Sequence, residues 1–345
     1  MRWIARGRDR RSAPRAATWA PVAAMATIAS MAVLPSSVSG AVRLREFGRG
    51  ISRHAYPDRI VAGPDGNLWF TEFAQDRIAR MTPGGTVTEF PLGLGRGREP
   101  LAIAPGADGA LWFTELGAGR IGRITTAGVV RELPFGGGPR GGPIGIAPGP
   151  GPTLWFTEGA AGRIGRIDHR GRARTFSLGV SRYAQPGDVV AGPDGNLWFT
   201  ERLGDRIGRL SPAGELTEFS RGIARDSGPW NIARGPDGSL WFTERYRGAI
   251  GRITPSGRVT EFSEGIAPGS EPFDIVAGPD GALWFTEMAT GQVGRITPSG
   301  RVTELSLRLG RKSQPLGIAR AGRALWVAVG AADRVVELRV EGRGR

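Results

Sequence analysis

Cysteine is absent from all 345 residues, which excludes disulfides, thiolate metal sites, a cysteine nucleophile and a lipid anchor on a thiol. Histidine is almost absent: His54 and His169 are the only two, so chemistry that needs several imidazoles has little to draw on. Lysine occurs once, at Lys312, although Lys and Arg together number 46, a bias read as codon usage rather than selection for guanidinium chemistry. No basic run is interleaved with a nucleic-acid module, so nucleic acid is not an expected partner despite a formal charge of +14.

The first 40 residues differ from everything after them. Arg2, Arg6, Arg8, Arg10, Arg11 and Arg15 precede a weakly apolar run from Ala17 to Leu34, and Val38-Ser39-Gly40 is an acceptable cleavage site. Residues 1–40 are therefore expected to be an export signal and 41–345 the mature protein. Pro21 and the many small residues argue against a retained membrane helix. Arg10-Arg11 hints at the twin-arginine route without settling it against the general one. Cleavage removes six arginines and Asp9, lowering the charge from +14 to +9. A secreted, periplasmic or cell-envelope location is the expectation, with a monomer that meets anionic surfaces readily.

What the chain does contain is a repeat. Leu68-Trp69-Phe70-Thr71-Glu72 begins again at Leu111, Leu154, Leu197, Leu240 and Leu283, and a worn copy starts at Leu325. Successive starts are 43 residues apart, the last 42, a period expected of one four-stranded propeller blade. The 56 Gly and 26 Pro recur in phase with the tryptophans, so they mark turns and not disorder. The expected fold is all-β: a seven-bladed β-propeller forming one domain.

In the first repeat, strand A is expected from Asp58 to Gly63, B from Asn67 to Glu72, C from Arg77 to Met81 and D from Thr86 to Phe90. Turns of the Gly63-Pro64-Asp65-Gly66 and Thr82-Pro83-Gly84-Gly85 kind separate A from B and C from D. The tryptophans are expected to pack between blades. Glu46-Phe47 sits one period before Glu89-Phe90, so Val42 to Phe47 is a D strand without its blade, while the last blade has only Leu316 to Arg320, Ala324 to Val329 and Arg334 to Val340. The N-terminal strand should close the ring. The D-to-A and B-to-C connections gather on one face, where loops that vary between blades suit a binding site.

Each A strand starts after a proline (57, 100, 143, 186, 229, 272, 315), and its neighbours differ where all else repeats. Before it stand Tyr56, Glu99, Gly142, Gln185, Gly228, Glu271 and Gln314; after it stand Asp58, Leu101, Ile144, Gly187, Trp230, Phe273 and Leu316. These side chains should rim the channel, with Trp230 and Phe273 as an aromatic wall and Tyr56, Asp58, Glu99, Glu271 and Gln314 as its polar part. One position on, Asp188, Asn231 and Asp274 offer oxygen ligands suited to Ca2+ or Mg2+, although short polar side chains at a strand start more commonly bond backbone. The glutamates ending six B strands (Glu72, Glu115, Glu158, Glu201, Glu244, Glu287) could suggest a carboxylate ring, but each is followed by a C-strand arginine (Arg80, Arg123, Arg166, Arg209, Arg252, Arg295), so a repeated structural ion pair or backbone contact is the better account. Gly117-Ala118-Gly119-Arg120-Ile121-Gly122 spells a dinucleotide fingerprint but opens no helix, and is rejected. His169 lies in a turn on the other face, and His54 near the mouth has no visible partner.

The Gly-Pro-Asp-Gly-Asn-Leu-Trp-Phe-Thr-Glu run and the Gly-Arg-Ile-Thr-Pro-Ser-Gly turn resemble those of the virginiamycin B lyase (streptogramin lyase) family, from Val42 to about Val340. The resemblance implies a carbon-oxygen lyase linked to antibiotic resistance: a cyclic depsipeptide is opened at its ester by Mg2+-assisted elimination. It also implies a Pro-His at strand A of the sixth blade, a Glu-Pro-His at that of the seventh, and a second metal-binding Glu just after the seventh B strand. Those positions here are Pro272-Phe273, Gln314-Pro315-Leu316 and Gly330. The expectation is an exported relative without lyase activity, holding a small-molecule or cell-envelope ligand at the channel mouth. The alternative is a lyase or hydrolase with a relocated site around Glu271, Glu99 and His54, with Glu287 also in view, or a lactonase-like propeller using Asp188, Asn231 and Asp274.

Overall fold

The computed structural model describes residues 42–93, 96–135, 141–177 and 184–340, together with the backbone of 30–32. The rest of the expected export segment lies outside the described residues. Seven antiparallel sheets follow one another, and strand A of each packs beside strand A of the next, with the last returning to the first. This is the seven-bladed propeller expected from the 43-residue period. Blade 1 comprises Pro57–Ala62, Leu68–Glu72, Arg77–Met81 and Val87–Pro91, within a residue or two of the sequence reading. Among the described residues the only helical segments are two short 3-10 turns, Phe73–Gln75 and Gly330–Ala332, and no helix is long and apolar enough to cross a membrane.

Two contacts made by each B strand explain its five-letter signature. The indole N–H of Trp69 donates to Asp65 in the preceding turn at 2.9 Å, and the same bond joins Trp112 to Asp108, Trp198 to Asp194, Trp241 to Asp237 and Trp284 to Asp280. The indole thereby buries its area without stranding its donor. Trp155 follows the aspartate-free turn at Gly149-Pro150-Gly151-Pro152, and its N–H has no partner. Each tryptophan packs against its neighbouring blade as well, Trp69 meeting Ile103, Leu111 and Phe113.

The threonine two residues on ties blades together. Thr71 Oγ1 accepts the backbone N–H of Arg59 at 3.0 Å and donates to the carbonyl of Leu101 in blade 2 at 3.1 Å. Thr114, Thr157, Thr200, Thr243 and Thr286 donate to the carbonyls of Ile144, Gly187, Trp230, Phe273 and Leu316 in the same way. The seventh copy is Ala328, which has no hydroxyl. At that joint the strands approach closely: a Cβ on Gly317 would lie 2.4 Å from the carbonyl oxygen of Asp58, so only glycine fits.

Ring closure follows the expected course. Val42–Phe47 pairs antiparallel with Arg334–Val340 over six residues, burying Val42 and Leu44. Its Phe47 lies 5.4 Å from Trp326, taking the place that Phe90 holds against Trp69 within blade 1. The backbone of Ser30–Ala32 adds a strand outside it, inside the segment expected to be removed on export.

Because closure depends on a strand 290 residues away in sequence, a chain beginning at Gly48 should melt at least about 10 °C below one beginning at Ala41. Calorimetry of the two proteins checks this, and equal melting temperatures would contradict closure by that strand.

Candidate functional site

Three series of residues meet at the loop face, each held by a repeated backbone device. The residue before every A-strand proline is left-handed: φ is 55° at Tyr56, 51° at Glu99, 49° at Gln185, 52° at Glu271 and 57° at Gln314, with glycines completing the set. Its carbonyl accepts from the residue after the B strand, as Tyr56 does from Phe73, Gln185 from Arg202 and Gln314 from Gly330. Aspartates from the preceding blade fix several of these loops: Asp333 accepts from the N–H groups of His54 and Tyr56, and Asp76 from those of Gly97, Arg98 and Glu99. After the proline every A strand is bulged, so two residues oppose one threonine, or Ala328 in the seventh blade.

Arg59 occupies the channel. From blade 1 its guanidinium crosses to blades 5 and 6, bonding Asn231 Oδ1 at 2.7 Å and lying 3.1 Å from Asp274 Oδ2. Asn231 donates to Asp274 at 2.7 Å, and Asp274 and Asp188 accept the backbone N–H groups of Ile318 and Ile232. The oxygen set that suited a divalent ion thus faces a cation of the chain itself, and two of its three members also bond backbone as short polar side chains do. Burial pushes Asp58 and Asp188 up to about 6 against the pull of Arg59. Asp58 Oδ1 accepts no hydrogen bond and has only the Arg59 guanidinium, 3.9 Å away.

Above this cluster lies an aromatic and cationic platform. The rings of Trp230 and Phe273 are 5.5 Å apart, as the expected wall requires. Arg202 lies over Trp230 at 3.3 Å and Arg245 over the same ring at 4.5 Å. Arg245 is held by Glu271 at 2.8 Å, whereas Arg202 Nε is buried without a partner. Burial draws Arg202 down to about 9, opposed by nearby Tyr246 and reinforced by the like charge of Arg245.

On the far side of the mouth, Tyr56 donates its hydroxyl to Gln314 Oε1 at 2.6 Å. A Cβ on Gly330 would meet Leu316 Cδ1 at 2.8 Å and the Tyr56 ring at 3.1 Å, so the space a side chain would need is filled. Burial, with Asp58 nearby, raises Tyr56 to about 12 and keeps it a donor. Phe273 and Leu316, at the positions the resemblance marks for histidines, are buried at 6% and 2% exposure. A neutral amide already accepting a bond and a glycine without room do not make the carboxylate pair that Mg2+ would need. Among the described residues no three His, Cys, Asp or Glu side chains are arranged to hold a metal.

Other expected partners are apart. His54 is exposed, and no hydrogen bond or ion pair joins it to Glu99 or Glu271 among the described residues. The reading of the B-strand glutamates requires correction. Arg80 lies opposite Trp69, not Glu72, stacks on that indole at 5.8 Å and reaches the carbonyl of Thr126; Arg123 and Arg295 bond the turn aspartates Asp108 and Asp280. The glutamates, fully buried, face D-strand carboxyls instead. Burial and then Glu89, Glu218, Glu261 and Glu304 raise Glu72, Glu201, Glu244 and Glu287 to about 8, 8, 9 and 8. Where the D strand has Thr175, Glu158 pairs with Arg163 at 2.6 Å. Sequence reasoning missed Arg202 and Arg245. Their series (Phe73, Leu116, Gly159, Arg202, Arg245, Met288, Gly330) breaks the repeat as plainly as the positions beside the proline, and the same signal would have found them.

A profile of the virginiamycin B lyase family matches residues 36–220 and 138–344. A streptogramin B lyase structure is 31% identical with a TM-score of 0.80, covering 87% of this chain and 98% of that one. Catalytically inactive virginiamycin B lyase from Staphylococcus aureus with quinupristin, a histidine-to-alanine variant, is 34% identical with a TM-score of 0.81, covering 87% and 100%. Hydrazine synthase of Kuenenia stuttgartiensis, 15% identical over 85% of this chain and 97% of that one at a TM-score of 0.70, shares the fold. No curated protein sequence matches the chain.

Two expectations follow from the buried charges. A carboxyl whose folded pKa is raised binds more protons in the native state, so its contribution is complete below the unfolded value and is lost as pH rises through the folded one. The melting temperature should therefore fall between about pH 6 and pH 9, and Glu244→Gln should flatten that fall; a rise over the window would contradict the assignment. Arg59→Met leaves three aspartates uncompensated and should cost about 3 kcal/mol at pH 7, shrinking toward pH 4 as Asp58 and Asp188 take up protons. Chemical denaturation at the two pH values measures both terms.

Proposed function

The chain belongs to the virginiamycin B lyase family, and from that premise we propose that it is an exported binding member without streptogramin lyase activity. Its ligand, a small molecule or a cell-envelope fragment, is held at the channel mouth over Trp230 and Phe273. The observation that carries the reading is the joint packing of Tyr56, Gln314, Leu316 and Gly330. One acceptor at the positions marked for metal is already engaged, and the other position is closed by a ring and a methyl group. Elimination needs a base within hydrogen-bond reach and charge stabilisation at the developing enolate, and Phe273 and Leu316 supply neither. The family's Mg2+ does not fit these residues.

The mouth suits binding for a positive reason as well. Its polar groups are preorganised by left-handed backbone, bulges and carboxylate clamps, and its aromatic wall stands beside unspent cationic charge. The mature protein acts as a secreted, periplasmic or envelope-associated monomer. A second reading, a relocated lyase or hydrolase site, rests on one observation: the buried Asp58 carboxylate has an oxygen that takes no hydrogen bond and meets only the Arg59 guanidinium at 3.9 Å.

Incubation of the purified protein with a type B streptogramin and Mg2+ should give no linear product by mass spectrometry, loss of acid–base help alone removing a factor of about 10² to 10⁴. Turnover abolished by chelation contradicts the proposal; turnover abolished by Asp58→Asn and indifferent to chelation supports the second reading. A panel of cell-envelope fragments should contain one that the wild type retains and the Trp230→Ala, Phe273→Ala double variant does not, with the variant's melting point measured beside it.

A further inference from the structure

Of the three arginines described around Trp230 and Phe273, namely Arg59, Arg202 and Arg245, Arg202 is the one without a carboxylate partner. Arg59 has Asn231 and Asp274, and Arg245 has Glu271 in two hydrogen bonds; no carboxylate lies within ion-pair distance of Arg202 among the described residues. It has instead the face of Trp230 at 3.3 Å and a second guanidinium over the same ring. Withdrawing a guanidinium from water without a counter-charge is unfavourable, and a like charge beside it makes it more so. The arrangement is stable in the fold and electrostatically incomplete.

A second observation coincides with this one. The described residues expose three large apolar side chains, Val129, Leu203 and Tyr246. Leu203 and Tyr246 are equivalent positions in blades 4 and 5, each directly after the mouth arginine of its blade, and are 46% and 54% exposed. The Tyr246 ring covers Gly228, where a Cβ would lie 2.4 Å from it, so it lies against the loop that leads into Trp230. A guanidinium without a counter-charge is thus flanked by an aromatic wall and an apolar rim.

Resting on the reading of the mouth as a ligand site, we propose that Arg202, with Trp230, Leu203 and Tyr246, is a subsite for a carboxylate carried on an apolar or aromatic body. The planar guanidinium presents parallel N–H donors that match a carboxylate, which would complete its hydrogen bonds and neutralise its charge. The indole below and the exposed side chains beside it would take the apolar part of the same molecule. Arg245 contributes field and not a direct bond, because its fork is engaged by Glu271. Phosphate or sulfate shares the oxyanion chemistry without the apolar body.

The test is titration of the full exported protein with N-acetylphenylalanine, with its carboxamide and with inorganic phosphate, followed by ligand-observed NMR. The acid should bind at least about tenfold tighter than the amide, the difference expected of a charge-assisted bond, and phosphate should compete more weakly than the acid. Arg202→Gln should erase the preference for the acid. The comparison of acid with amide on the wild type needs no variant, so it stands even if Arg202→Gln folds poorly. Equal binding of acid and amide, both abolished by Trp230→Ala, overturns the anionic subsite and leaves the mouth as a ligand site. Binding of neither probe, or a preference that survives Arg202→Gln, also overturns the subsite; if the envelope panel fails as well, the mouth reading falls with it. Phosphate binding as tightly as the acid assigns the fork to free oxyanions and overturns the apolar part.

Discussion

A threonine hydroxyl shared between two blades is the bond on which the geometry of the channel rim depends. In each of six blades it accepts a backbone N–H from its own bulged A strand and donates to the carbonyl of the residue beside the next proline. Replacing such a hydroxyl by a methyl group would strand a buried donor and a buried acceptor together. Because the hydroxyl engages only backbone, it specifies where the rim residues stand without specifying what they are. The seventh joint, at Ala328, does without it and relies on close backbone approach at Gly317 and on the closing strand.

That division lets the scaffold persist while the chemistry on it changes. The positions from which the family resemblance implies base and metal ligands are occupied here by Phe273, Leu316, Gln314 and Gly330, and Tyr56 fills the space among them. Positive charge has not vanished from the channel. Arg59 supplies it to the aspartates, and Arg202 and Arg245 carry it to the mouth. A mobile divalent ion could be exchanged or lost, whereas these cations are fixed to the chain and tied to aromatic rings. On the proposed reading, such a mouth holds a complementary anion and does not polarise an ester.

The repeat made the fold legible, since seven copies at a fixed period determine the blade count and the orphan D strand determines how the ring closes. Deviation from the repeat likewise pointed to Tyr56, Asp58, Trp230, Glu271, Phe273 and Gln314, which do gather at the mouth or just inside it. Glu99 carries the same backbone device on its own blade. What spacing could not convey is the reach of long side chains. Arg59 sits one position from Asp58 in sequence yet bonds residues of the fifth and sixth blades, and a linear reading weighs Asp188, Asn231 and Asp274 between metal and backbone without seeing the guanidinium they face. The B-strand glutamates illustrate a related failure. Their C-strand arginines are in phase with them, but register places each arginine opposite a tryptophan, where the guanidinium lies over the indole face and out of reach of the glutamate.

The central claim is that this mouth is organised by cations of the chain and not by a bound metal. A crystal structure of the mature protein soaked in Mg2+ and in Ca2+ tests it most directly. The account predicts the Arg59 guanidinium between Asn231 and Asp274, the Tyr56 hydroxyl on Gln314, and no ion coordinated by any of these groups. A divalent ion held by Gln314, or by Asp188 and Asp274 with Arg59 displaced, would contradict it.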